Sequence, residues 1–171
     1  MKFCEVEMDW TRRVFVRFAM VFVLAGVALS PGVGTASADS VQTFRNRATG
    51  LCLDDSNEVG LRTFPCNGLD YQRWNVHRWN DGTFQLRNVH TGSCLGVYKH
   101  PNGTWVPEAG TCRATPAYSW YSRRVSGGIR LWSEVVDTRC LWGDGHAVDG
   151  GRAVDLNSCI GGYEPAETVW F

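Results

Sequence analysis

Three stretches of this chain carry one signature. Phe44 to Asp54, Leu86 to Gly96 and Ser133 to Trp142 each hold a Cys-Leu pair: Cys52-Leu53, Cys94-Leu95 and Cys140-Leu141. A second cysteine follows each pair, Cys66, Cys112 and Cys159, and each unit closes on a tryptophan, Trp74, Trp120 and Trp170. The cysteine separations are 14, 18 and 19, and the steps to tryptophan are 8, 8 and 11. A unit of about 42 residues cannot bury its own apolar face, so three such units must close on one another. The closing tryptophans are expected in that shared core. The repeats are placed at about 41–82, 83–127 and 128–171.

The local pattern is β. Thr83-Phe84-Gln85-Leu86 and Ile129-Arg130-Leu131-Trp132 alternate with period two. Asn80-Asp81-Gly82, Asn102-Gly103 and Ser126-Gly127-Gly128 punctuate the strands as turns. Strands every 8–12 residues argue for a sandwich or barrel, with about four strands per repeat and about 12 in all. The 19 glycines and 8 tryptophans are poor material for helix interiors. Lys+Arg and Asp+Glu both count 17, so no basic field exists to hold nucleic acid.

The N-terminus reads as an address. Lys2, Arg12, Arg13 and Arg17 precede an apolar run from Phe18 to Leu29, too short for a membrane span, and Ala36-Ser37-Ala38 forms a cleavage signature. Residues 1–38 are therefore expected to be a secretory signal peptide, with acidic Glu5, Glu7 and Asp9 as its oddity. Removing 38 residues from 171 leaves 133, with net charge −1 and no membrane span. Cys4 leaves with the leader, and an even six cysteines on an exported chain read as disulfides rather than a metal site. The expectation is a secreted monomer with no metal and no cofactor.

The triplicated Cys-Leu-Asp…Cys…Gln-x-Trp pattern resembles the ricin B-type (R-type) lectin domain. It is most complete in Cys52-Leu53-Asp54, Cys66 and Gln72-Arg73-Trp74, and it fades to Tyr118-Ser119-Trp120 and Thr168-Val169-Trp170. The resemblance covers Val41 to Phe171 and implies an all-β fold, a β-trefoil of three four-stranded repeats, that binds a glycan or polysaccharide without chemistry. In the family a carboxylate follows the Cys-Leu pair. A ring stands two residues before the second cysteine, and a polar side chain four before it. A further polar pair precedes the tryptophan. A carboxylate accepts bonds from vicinal hydroxyls, while a ring covers the apolar face of a pyranose.

The resemblance thus implies a carbohydrate site in the first repeat at Asp54, Arg62, Phe64, Tyr71 and Gln72. Arg62 and Tyr71 depart from the family's usual Gln and Asn. The second repeat has Gly96, Glu108 and Gly110 at these places, and the third has Trp142, Asp155 and Asn157, with Asp144 nearby. One competent site at most is expected. Asp54 also stands in the turn-forming string Asp54-Asp55-Ser56-Asn57, so capping a turn is its structural alternative. Core packing is the alternative for Phe64, and packing beside the tryptophan for Gln72. Trp105 is a second-choice platform.

Each cysteine pair brackets one repeat's sugar-site loop, which implies disulfides Cys52–Cys66, Cys94–Cys112 and Cys140–Cys159 out of fifteen possible pairings. No nucleophile elbow, zinc-protease motif or phosphate loop is present, so no enzyme is expected. The other reading is a trefoil that has lost sugar binding and recognises a protein, as an inhibitor or a toxin accessory subunit.

Overall fold

The computed structural model describes residues 39–160 and 165–171. The expected signal peptide lies outside them. The first repeat supplies β1 (Ser40–Gln42), β2 (Cys52–Ser56), β3 (Gly60–Phe64) and β4 (Trp74–Arg78). The second supplies β5 (Phe84–Asn88), β6 (Cys94–Lys99), β7 (Trp105–Gly110) and β8 (Trp120–Val125). The third supplies β9 (Gly128–Ser133), β10 (Arg139–Trp142), β11 (Ala147–Val148), β12 (Gly151–Arg152) and β13 (Asp155–Ser158). All pairing is antiparallel, and β4–β5 and β8–β9 link one repeat to the next. Each repeat contributes one outer hairpin, β2–β3, β6–β7 or β10–β13. The result is the expected three-repeat β-trefoil. Among the described residues, no helix is long and apolar enough to cross a membrane.

The core repeats with the sequence. Trp74, Trp120 and Trp170 are all fully buried, as are Leu53, Leu95 and Leu141 of the Cys-Leu pairs. Each indole Nε1–H donates to the carbonyl of its own repeat's leucine: Trp74 to Leu53 at 3.0 Å, Trp120 to Leu95 at 2.9 Å and Trp170 to Leu141 at 3.1 Å. The bulkiest core rings thereby leave no buried donor unpaired. The three disulfides join Cys52 to Cys66, Cys94 to Cys112 and Cys140 to Cys159, the implied pairing.

Two features depart from a regular count. A one-turn 3-10 helix precedes each closing tryptophan, at Asp70–Gln72, Pro116–Tyr118 and Ala166–Thr168, where no helical pattern is visible in the sequence. The third repeat also carries an additional short hairpin, β11–β12. Its turn holds Asp149 and Gly150 at φ of 34° and 74°, the left-handed values that an Asp-Gly hairpin turn requires. The closing segment of that repeat is reduced to bridges from Trp170 to Asn46 and Ile129.

The strand register also corrects the repeat alignment. Trp74 pairs with Asn88, and Trp120 pairs with Ser133, while Asn46 bridges Trp170. Ser133 therefore occupies the place of Asn46 and Asn88, and Trp132 that of Arg45 and Arg87. An ungapped alignment sets Ser133 one place too early, because the loop from Ser133 to Cys140 has one residue more than Asn46–Cys52 or Asn88–Cys94. The side chains agree. Asn46 Oδ1 accepts from Ala48 and Thr49 N–H, Asn88 Oδ1 from His90 and Thr91 N–H, and Ser133 Oγ from Val136 N–H.

Replacing Trp120 by Ala opens a large cavity in this close-packed centre and frees the Leu95 carbonyl. The expected loss is about 3–5 kcal/mol. Urea unfolding followed by fluorescence of the remaining tryptophans measures it.

Candidate carbohydrate site

The register places the three sets of sequence-predicted positions on equivalent rungs. Asp54 faces Arg62, Gly96 faces Glu108 and Trp142 faces Asp155. Two rungs away, on the same face, Cys52 faces Phe64, Cys94 faces Gly110 and Cys140 faces Asn157. The outer hairpins thus present equivalent positions with different side chains.

In the first repeat the predicted residues converge. Asp54 is 2% exposed. Its Oδ1 accepts from Arg62 Nε at 3.1 Å and its Oδ2 from Gln72 Nε2 at 3.2 Å. The Arg62 guanidinium lies 4.1 Å from the Phe64 ring centre and donates from Nη1 to the Asp149 carbonyl at 2.9 Å. Gln72 is fully buried. It also donates to the Pro65 carbonyl and accepts from Asn67 N–H, so its role is to shape the loop. Above this floor is a pocket of about 190 Å³ walled by Arg62, Phe64, Asn67, Tyr71 and, from the β2–β3 turn, Asn57 and Glu58. The Tyr71 ring packs on His90 with centroids 3.9 Å apart, which fixes its tilt from the second repeat.

Asp54 is thus an acceptor at the base of the pocket and does not cap a turn. Phe64 has one face covered by Arg62, which leaves Tyr71 as the better placed ring. Trp105, the second-choice platform, is partly buried against the core with Lys99 Nζ 5.5 Å from its ring centre. Sequence reasoning missed Asn57 and Asn67 as pocket walls and Asp149 as a brace. The Asp149-Gly150 pair was the available signal for the brace.

The second repeat is closed by its own chain. Tyr118, at the Gln72 position, fills the space that the missing side chains of Gly96 and Gly110 leave. A Cβ on Gly96 would stand 2.5 Å from the ring, and one on Gly110 2.7 Å from its hydroxyl. The Tyr118 hydroxyl donates to Glu108 Oε1 at 3.0 Å. Burial, and then this neighbouring carboxylate, raises the phenol above its usual value of 10.0. In the third repeat Asp144 is paired with Arg152 at 2.9 Å, and Thr168, at the Gln72 position, donates to the Pro165 carbonyl.

Residues 32–107 match the family described as ricin-type beta-trefoil lectin domain-like. The ricin B-type resemblance holds. Among solved structures, the Macrolepiota procera ricin B-like lectin in complex with lactose aligns with a TM-score of 0.62 at 20% identity, over 78% of this chain and 94% of that one. The designed three-fold symmetric protein ThreeFoil aligns with a TM-score of 0.63 at 19% identity, over 76% and 95%. At such identities these matches show the shared fold. Uncharacterized proteins of Mycobacterium tuberculosis and Mycobacterium bovis are 29% identical over 97 residues, 52% of this chain and 62% of theirs. The match thus spans less than two thirds of those relatives.

Two outcomes follow from these packings. Gly96→Asp, which restores the family carboxylate, drives a side chain into Tyr118 and is expected to cost about 1–3 kcal/mol by overpacking. Adding Tyr118→Gln is expected to recover most of that loss, and urea midpoints of the single and double variants measure it. Asp55 is 3% exposed and accepts a hydrogen bond from Thr91 Oγ1. Burial pushes its carboxyl above the ordinary 3.8, against that hydrogen bond and with help from the Asp54 charge. A folded value above the unfolded one gives stability that is full below pH 3.8 and is lost as pH rises through the folded value. Asp55→Asn is expected to remove that loss, so its stability relative to the parent improves from acid to neutral pH.

Proposed function

We propose that this chain is a secreted carbohydrate-binding module without catalytic activity of its own, holding a glycan or polysaccharide as a monomer at the first-repeat pocket. One observation carries the reading. Among the described residues, the first repeat alone combines a carboxylate, a cationic donor and an accessible ring, in Asp54, Arg62 and Tyr71, around an open pocket. The second is filled by Tyr118, and the third has Trp142 in place of the carboxylate. The family match supports sugar as the ligand class, and the lactose complex of a similarly folded lectin supports galactose-type probes. The leader pattern and three disulfides support export.

A shallow pocket that buries few ligand atoms binds weakly, with an expected Kd of about 0.1–1 mM. Asp54→Ala is a poor probe, because it leaves the buried Arg62 charge without its partner, at a cost of about 3–5 kcal/mol. Tyr71→Ala is the cleaner change. Calorimetric titration of the full disulfide-bonded chain with galactose, lactose and a broad glycan panel is expected to give binding that Tyr71→Ala weakens at least tenfold. Undiminished binding in that variant rejects the first-repeat site.

A second reading, recognition of a protein partner by a trefoil without sugar binding, is favoured by the plugged second repeat and by the internal pairing of Asp54 with Arg62 and Gln72. The parent's failure to bind any glycan selects it.

A further inference from the structure

The pseudo-three-fold axis makes one further place informative, on the strands that join the repeats. Three cross-strand pairs there are equivalent by register. Arg45 and Phe171 exchange backbone hydrogen bonds, Arg87 faces Asn75, and Trp132 faces Tyr121. In the first two pairs the arginine is a structural tie. Arg45 Nε donates to the Gly50 carbonyl at 2.8 Å, and Arg87 Nε donates to the Gly92 carbonyl at 3.1 Å. Both fasten the Thr-Gly turn ahead of the Cys-Leu pair.

The third pair abandons this tie. Trp132 stands at the arginine position, and its Nε1–H is shielded from solvent without an acceptor among the described residues. A buried unpaired donor is destabilising, and without an acceptor Trp132 does not make the arginines' tie. What the exchange produces is a surface. Trp132 and the 43% exposed Tyr121 line a pocket of about 240 Å³ together with Arg123, Ser133 and Asp137. Arg123 lies two residues beyond Tyr121 on the same face of β8, and Asp137 comes from the one-residue-longer loop that follows β9. Both are exposed.

We propose that Tyr121 and Trp132 form a second carbohydrate site, which takes the apolar C–H face of a neutral hexopyranose and holds its hydroxyls with Arg123 and Asp137. Three features select this ligand. The volume lies below the roughly 300–1,000 Å³ of pockets for drug-sized ligands, which suits a single ring. The lining offers one cation and one anion, so it has no net charge to prefer a phosphate, a carboxylate or an amine. Two aromatic rings beside one donor and one acceptor match a molecule with an apolar face and a polar edge. The site uses none of the residues of the first-repeat pocket and stands or falls independently of it.

The test is NMR titration of the full disulfide-bonded chain with methyl β-galactoside, methyl β-glucoside and N-acetylglucosamine. The Trp132 indole signal is assigned by its loss in Trp132→Arg, the residue that the other two repeats carry. One of these sugars is expected to shift that signal saturably, and Tyr121→Ala is expected to weaken the shift at least tenfold in Kd. Tyr121 is exposed enough for the variant to fold, which circular dichroism checks. Any sugar response at Tyr71 is read separately in the same spectra, so failure of the first-repeat site leaves this result standing. No shift of the Trp132 signal up to about 100 mM sugar, well above the millimolar Kd that ~4 kcal/mol provides, overturns the proposal. So does an undiminished response in Tyr121→Ala, or a response to a proline-rich peptide and to none of the sugars.

Discussion

The fold depends on three hydrogen bonds repeated about one axis, from the indole of each closing tryptophan to the carbonyl of its own repeat's Cys-Leu leucine. A tryptophan is the largest apolar side chain available, but its N–H is costly to bury alone. The leucine carbonyl resolves that conflict, and it does so between the closing strand and the hairpin of the same unit. Each closing tryptophan is thereby tied to the hairpin of its own repeat. The fully buried leucines Leu53, Leu95 and Leu141 then leave one apolar wall per unit, and three walls complete one core.

That constraint acts on the interior and leaves the outer rungs free to diverge. On the rung of the proposed site the three repeats hold Asp54, Gly96 and Trp142, with no change in pairing partner positions. Where the side chains were lost, the vacated volume was refilled from inside, by Tyr118 against Gly96 and Gly110. Close packing explains the substitution, since an empty apolar gap forfeits contacts on every side.

What the sequence discloses follows the same division. The repeats, the disulfide partners, the buried tryptophans and the equivalence of Asp54, Gly96 and Trp142 were legible because each is fixed by spacing within one unit. The one-residue offset at Ser133 was not, because an insertion in a loop is invisible until strand pairing sets the register. Nor was the cover of Arg62 over Phe64, or the plug at Tyr118, since both depend on which side chain fills a space that several could fill. The 3-10 turns before Trp74, Trp120 and Trp170 are too short to leave a periodic trace.

The β11–β12 hairpin of the third repeat reaches across to the first. Arg152 pairs with Thr63, and the Asp149 carbonyl receives Arg62 from 87 positions earlier in the chain. Arg62 is the residue that aligns Asp54, so the last repeat forms part of the frame of the first repeat's pocket. The chain holds three equivalent hairpins. The third repeat, with Trp142 in the place of Asp54, now buttresses its sister, so a change in the β11–β12 hairpin is felt at Arg62 and Asp54.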